Sequence, residues 1–112
     1  MIYFPLLARG DPIRMLCWYG KIDFEDRRIT FEEFLPLKHN SGVLKSGQIP
    51  IWVEPNATAI YNQMNAIVYH VARTRTDLMP ADMSPMDRYT IDWAGDTYND
   101  LWVPDFTKHL HK

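Results

Sequence analysis

The 112-residue sequence predicts an α/β fold: a mixed four-stranded sheet in the order βαβαββα, followed by one further helix. Three observations carry that expectation. Residues 2–4 and 24–30 read as strands with a helical segment between them, and strand, helix, strand within about 30 residues makes a parallel crossover unit. The runs "QIPIWVE" and "ATAIY" flank the turn pair "PN", which turns a third strand back into a fourth. Residues 63–73 then carry Ala66, Ile67, Tyr69, His70 and Val71 at helical spacing, a helix able to cover the sheet.

Each element has a local reason. The apolar run at residues 2–4 is a short buried strand. Asp11 can cap a helix start, Pro12 suits the first helical position and Gly20 suits a left-handed exit, which brackets a helix over 12–19 with Ile13, Leu16 and Cys17 facing the core. The second strand is edge-like, because Glu25, Asp26, Arg27 and Arg28 leave it little apolar surface. Phe31, Phe34, Leu35 and Lys38 suggest a short irregular helix over 31–38, followed by a loop around Asn40, Ser41, Gly42 and Gly47. Residues 73–82 read as a connector broken by Pro80. Ser84 and Pro85 restart a helix, Asp87 places negative charge in its first turn, and Ile91, Trp93, Ala94, Tyr98, Leu101 and Trp102 give it apolar surface until Pro104. Those aromatic residues require something to pack against.

Composition excludes several classes. A hydrophobic share of 46% and a charged share of 23% describe an ordinary globular chain with one core. The net charge of −2 offers no basic excess for nucleic acid. Apolar runs are far shorter than the roughly 20 residues that span a bilayer, and no leader opens the chain, so a cytoplasmic location without membrane partners is expected. Cys17 is the single cysteine, which excludes an internal disulfide and a cysteine-rich zinc cluster. Its position on an apolar helix face reads as core packing. Asn56-Ala57-Thr58 is a glycan acceptor only in a secreted protein and reads here as turn chemistry. His109 and His111 read as a solvated tail.

The order of elements, with "QIP" entering the third strand, is that of a thioredoxin-like domain. A dithiol mechanism is excluded, since one thiol cannot form and resolve an internal disulfide. Beyond the fold, the "YFP" start, the six-residue step from Tyr3 to Arg9, "PIRML", "QIP", "QMNAIVYHVAR" and "IDWAGDTYNDL" together resemble the amino-terminal domain of cytosolic glutathione transferases of the tyrosine type, nearest the pi and sigma classes. The resemblance runs from Ile2 to about Trp102.

The resemblance implies a glutathione site and assigns its residues. Tyr3 occupies the position of the family's catalytic tyrosine, whose phenol donates to the glutathione sulfur and favours the thiolate; taken alone, Tyr3 also reads as a strand tyrosine bonding a backbone carbonyl. Arg9 matches the family's helix-start arginine, and Lys38 the lysine that reaches the glycyl carboxylate, a role for which Lys45 competes. Phe34 stands where the family often has a tryptophan and lacks that ring's N–H donor. Gln48, Ile49 and Pro50 match a turn with a cis proline, whose backbone pairs with the cysteinyl part of glutathione as an added strand; a trans proline starting a strand is the other reading. Gln63 and Met64 open the third helix, where free N–H groups favour an anion. The family normally has Gln-Ser there, and Met64 removes a hydroxyl that binds the γ-glutamyl carboxylate, about 1.5–3 kcal/mol, or roughly 10- to 100-fold in binding.

Asp92, Asp96 and Asp100 repeat at four-residue steps on one helical face. Such a stripe reads as solvated surface, whereas the resemblance places Asp100 across a twofold homodimer at the γ-glutamyl ammonium of the neighbouring subunit. Asp92 and Asp96 face a cation in the sigma class, and no metal is required here. The implied division is a glutathione-binding domain over 1–74, a linker over 75–83 and a shortened start of a helical domain over 84–112. Two functions follow from these residues: a transferase that conjugates glutathione to small electrophiles, or a binding and assembly module in which Met64 and the missing helices have dismantled turnover.

Overall fold

The structure, a computed structural model, describes residues 1–6, 8–40, 44 and 47–101, without the side chains of Asn40 and Ala57. Four strands, β1 (Ile2–Tyr3), β2 (Arg27–Arg28), β3 (Ile51–Val53) and β4 (Ile60–Asn62), form one sheet in the order β2-β1-β3-β4. β1 runs parallel to β2 and antiparallel to β3, and β3 runs antiparallel to β4, with Ile2 opposite both Arg27 and Ile51. The helices are α1 (Asp11–Gly20), α2 (Phe31–Asn40), α3 (Met64–Arg73) and α4 (Pro85–Asp100). This is the mixed, thioredoxin-like α/β arrangement expected from the sequence.

α1 and α3 pack against each other. Ile13 and Cys17 of α1 are buried in one cluster with Ile67 and Val71 of α3, Ile51 of β3 and Ile29 just beyond β2. Cys17 is therefore a core residue, and burial raises its thiol pKa above the ordinary 9.0. By contrast, α4 buries none of its residues; Met86, Tyr89, Trp93 and Leu101 are exposed. Of the apolar residues the sequence indicates, Ile91 and Tyr98 are half-buried against the rest of the fold, while Trp93 stays exposed. Trp102, Pro104, His109 and His111 lie outside those residues.

Several boundaries differ from the sequence expectation, each for a visible reason. The residue capping α1 is Gly10, not Asp11; Asp11 is the first helical residue and pairs with Arg14 at 3.2 Å instead. The left-handed exit falls at Lys21, with φ 52° and ψ 43°, while Gly20 stays inside the helix. Gly20 lies close under Leu78: a Cβ there would come to 2.7 Å from Leu78 Cδ1, the tip of a side chain that can move aside. The backbone oxygen of Gly20 also accepts a bond from Arg75. β2 shrinks to two residues because its partner β1 is equally short, and Phe24 stacks on Trp52 instead of extending the ladder.

α2 runs two residues beyond the expected end. Thr30 and Glu33 cap it reciprocally: the Glu33 N–H donates to Thr30 Oγ1 at 3.2 Å and the Thr30 N–H to Glu33 Oε1 at 3.1 Å. The turn after β3 has Asn56 at φ 62°, and Thr58 Oγ1 donates to the Pro55 carbonyl at 3.2 Å, so this tripeptide is indeed turn chemistry. Ser84 caps α4 by accepting the Asp87 N–H at 3.1 Å.

Candidate functional site

The link from β1 into α1 positions the first group of the site. Tyr3 is buried, with its ring against Gly10, where a Cβ would come to 2.7 Å from Tyr3 Cγ. Only glycine leaves room for that ring. The Tyr3 hydroxyl oxygen accepts the Arg9 backbone N–H at 3.2 Å. A phenol that accepts one bond still has its own proton to donate. Burial raises the Tyr3 pKa above the ordinary 10.0, a larger effect than the lowering by the Arg9 N–H. Tyr3 is accordingly a neutral donor near pH 7.

Arg14 holds the same link in place and escaped the sequence reading. It is 1% exposed. Its Nε donates to both carboxylate oxygens of Asp26 at 3.1 Å, Nη1 to Asp11 Oδ1 at 3.2 Å and to the Leu6 carbonyl at 3.4 Å, and Nη2 to the Phe4 carbonyl at 3.1 Å. Its guanidinium carbon also lies 5.6 Å from the centre of the Tyr3 ring. A planar fork thus satisfies backbone oxygens that β1 no longer pairs, and steadies the phenol. An arginine among apolar residues of α1, with Asp11 three positions earlier, was the available signal.

A second wall comes from the turn into β3. The Ile49–Pro50 peptide is cis, and Gly47 has φ 68°. Ile49 and Pro50 are buried while Gln48 is exposed. The third wall is the start of α3. Gln63 adopts φ 76° and ψ 118°, a conformation costing a non-glycine residue about 1–3 kcal/mol. Strain of this kind concentrates where a site over-determines the backbone. Met64 follows with its side chain buried, 5% exposed. The N–H groups of this first turn have no acceptor within the helix.

These walls meet. A small cleft is lined by Arg9, Gln48, Ile49, Pro50, Gln63 and Met64, and also by Asn65 and Asn99. A more open hollow shares Arg9, Gln48 and Ile49 with it and adds Tyr3, Phe34 and Lys38. The two adjoin through those shared residues and are together called the groove, with Tyr3 lining one part and the start of α3 the other. Phe34 packs edge-on against Phe4, ring centres 5.3 Å apart, and Lys38 Nζ lies 5.9 Å from the Phe34 ring centre. Lys45 lies outside the described residues.

Asp100 does not line this groove. It is exposed at the last residue of α4, beside Asn99, which does line it. Asn65 was within reach of the sequence reading, being next to Met64. Asn99 was not, because only the packing of α4 brings it there. α4 crosses α3 closely at Gly95, where a Cβ would come to 2.6 Å from the Tyr69 hydroxyl, and that hydroxyl donates to the Ile91 carbonyl at 3.4 Å. Asp92 and Asp96 are exposed, and no group of three or more metal-ligating side chains occurs among the described residues. Among those residues no helix is long and apolar enough to cross a membrane.

No family profile matches the chain. It is 34% identical over 99 residues to a protein of Anopheles gambiae named "Glutathione S-transferase", covering 88% of this chain and 45% of that protein. It is 41% identical over 51 residues to "Glutathione S-transferase 2" of Caenorhabditis elegans, covering 46% of this chain and 26% of the relative. A solved structure described as "C- Orthorombic NaGST1" superimposes with a TM-score of 0.70 at 27% identity, over 88% of this chain and 44% of that one. The chain therefore spans less than half the length of the proteins it resembles.

Proposed function

From a sequence and a fold shared with glutathione S-transferases, we propose that this chain binds glutathione and holds its thiolate at Tyr3 for attack on small electrophiles. The observation that carries the reading is one groove lined by the Tyr3 phenol, the cis Ile49–Pro50 turn and the start of α3. The tripeptide has charge at both ends and a sulfur in the middle, and the groove matches that pattern. The glycyl carboxylate lies toward Arg9 and Lys38, the cysteinyl backbone pairs with Ile49, and the γ-glutamyl carboxylate meets the first turn of α3 beside Gln63 and Met64.

The chemistry asked of Tyr3 is modest. A free thiol has a pKa near 8.5, so only a few per cent is thiolate at pH 7. A phenol that stays protonated and donates to sulfur favours the anion, each pKa unit being worth about 1.4 kcal/mol. The thiol proton passes to solvent, the sulfur pair forms the new C–S bond, and the leaving group departs with the old bonding pair. No metal takes part in this step.

The reading keeps the tyrosine type and the likeness to the pi and sigma classes, a cytoplasmic location, and a division into 1–74, a connector over 75–83 and the start of a helical domain over 84–112. It places Asp100 across a twofold axis at the ammonium of a partner's glutathione. The test is conjugation of a generic aromatic halide with glutathione, for this chain and for Tyr3→Phe. Turnover that falls at least tenfold in the variant supports the assignment, and equal turnover refutes it. A second reading, a glutathione-binding or assembly module without turnover, is favoured by Met64 in place of a hydroxyl and by the bare aromatic surface of α4. Retention on immobilised glutathione without conjugation would select it.

A further inference from the structure

We propose that Tyr98 is a positioning residue that sets the acidity of the Tyr3 hydroxyl through the single peptide unit joining Ala8 to Arg9. This rests on the reading of Tyr3 as the thiolate's donor and adds a residue of α4 to that machinery. The Tyr98 hydroxyl donates to the Ala8 carbonyl at 2.9 Å, across 90 residues of sequence. The N–H of that same peptide unit, carried by Arg9, donates to the Tyr3 oxygen at 3.2 Å.

A peptide unit is planar, so its C=O and N–H rotate together. Tyr98 therefore fixes the direction in which the Arg9 N–H points. At 3.2 Å that second bond is at the long end of the usual range, where orientation decides whether it persists. Polarisation acts in the same sense: a carbonyl that accepts a hydrogen bond makes its own N–H a better donor, and successive bonds strengthen one another. The Arg9 N–H in turn favours the ionised form of Tyr3 and sharpens its remaining O–H as a donor toward sulfur, a larger effect than the opposing rise from the charge of the Tyr98 phenol when that ionises. The Asp11 N–H also donates to the Ala8 oxygen, at 3.1 Å, but that bond belongs to the entry into α1 itself. Among the described residues, Tyr98 is the donor that brings α4 to this carbonyl, one residue before Asn99 on the cleft wall.

The experiment compares the full chain, Tyr98→Phe, Tyr3→Phe and the double variant. Titration of Tyr3 is read by ultraviolet absorbance as the difference between each chain and its Tyr3→Phe counterpart, and the thiol pKa of bound glutathione from the pH profile of conjugation. Tyr98→Phe is expected to raise both by about half to one unit, a three- to tenfold loss of ionised form at fixed pH, with the KM for glutathione within about twofold. Exchange of the Arg9 amide with deuterium, read by nuclear magnetic resonance, is expected to quicken. A role of Tyr98 in docking α4 alone would leave both acidities in place. An unmoved Tyr3 titration or an unchanged Arg9 amide overturns the proposal. If Tyr3→Phe itself leaves the thiol pKa where it was, the failure lies with Tyr3 as the donor, and the positioning role in catalysis falls with it.

Discussion

Replacing Arg14 by methionine keeps most of the side chain's length and removes its charge and its five donors. The guanidinium is 1% exposed and holds Asp26, Asp11 and the carbonyls of Phe4 and Leu6 at 3.1–3.4 Å. Breaking a fully buried ion pair costs about 3–5 kcal/mol, because a charge is left without a partner. Here the side chains of Asp11 and Asp26 retain 22% and 20% exposure, so water reaches both, and Asp26 keeps Arg28 at 3.1 Å. The expectation is therefore the lower end, about 3 kcal/mol, a large part of a typical total of about 5–15 kcal/mol. With a urea slope of about 1–3 kcal/mol/M, the unfolding midpoint should fall by about 1–3 M at unchanged slope. Arg14→Lys should fall between, since an ammonium keeps the charge without the planar fork that reaches carboxylate and carbonyls together. The assay is equilibrium urea unfolding followed by tryptophan fluorescence. A midpoint for Arg14→Met equal to that of the unaltered chain would refute the reasoning, since water would then satisfy the two aspartates and the loop carbonyls as well as the guanidinium does.

Two further outcomes follow from the same groups. Burial raises the pKa of Tyr3, Tyr69 and Cys17, so all three are held neutral in the folded state; that contribution is complete below the ordinary values of 10.0 and 9.0 and is lost as pH rises through the raised ones. Stability measured by urea unfolding should decline from about pH 9 upward, less steeply in Tyr3→Phe, and a flat profile to pH 11 would contradict it. Met64→Ser should show opposed effects: the emptied volume of a side chain 5% exposed costs about 2–5 kcal/mol of stability, while the restored hydroxyl tightens glutathione about 10- to 100-fold by calorimetry. Unchanged affinity would remove the case for Met64 as the weak point of the site.

The groups that line the groove were legible because each sits in a short motif that carries the resemblance. A tyrosine at a strand end, a proline entering a strand and a helix start with a free first turn are all short-range features. What resisted was contact between distant segments. The pair Thr30 and Glu33 could have been read as a reciprocal cap from their three-residue spacing alone, and it fixes where α2 starts. Gly20 suggested a left-handed turn through its freedom of backbone, whereas the chain makes that turn one residue later, at Lys21.

The linear order of apolar and turn-forming residues determined the α/β class and the four strands and four helices among the described residues, while the candidates Tyr3, Arg9, Gln48, Ile49, Pro50, Gln63 and Met64 came from the resemblance those motifs carry. Periodicity and turn chemistry are properties of neighbouring residues, so they survive without a fold. Only tertiary packing decided that Arg14 would be buried against Asp26, that Asn99 would join the cleft, and that Tyr98 would reach Ala8 across 90 residues. Those contacts depend on how helices cross and how a loop closes, and neither is written in the spacing of any one segment.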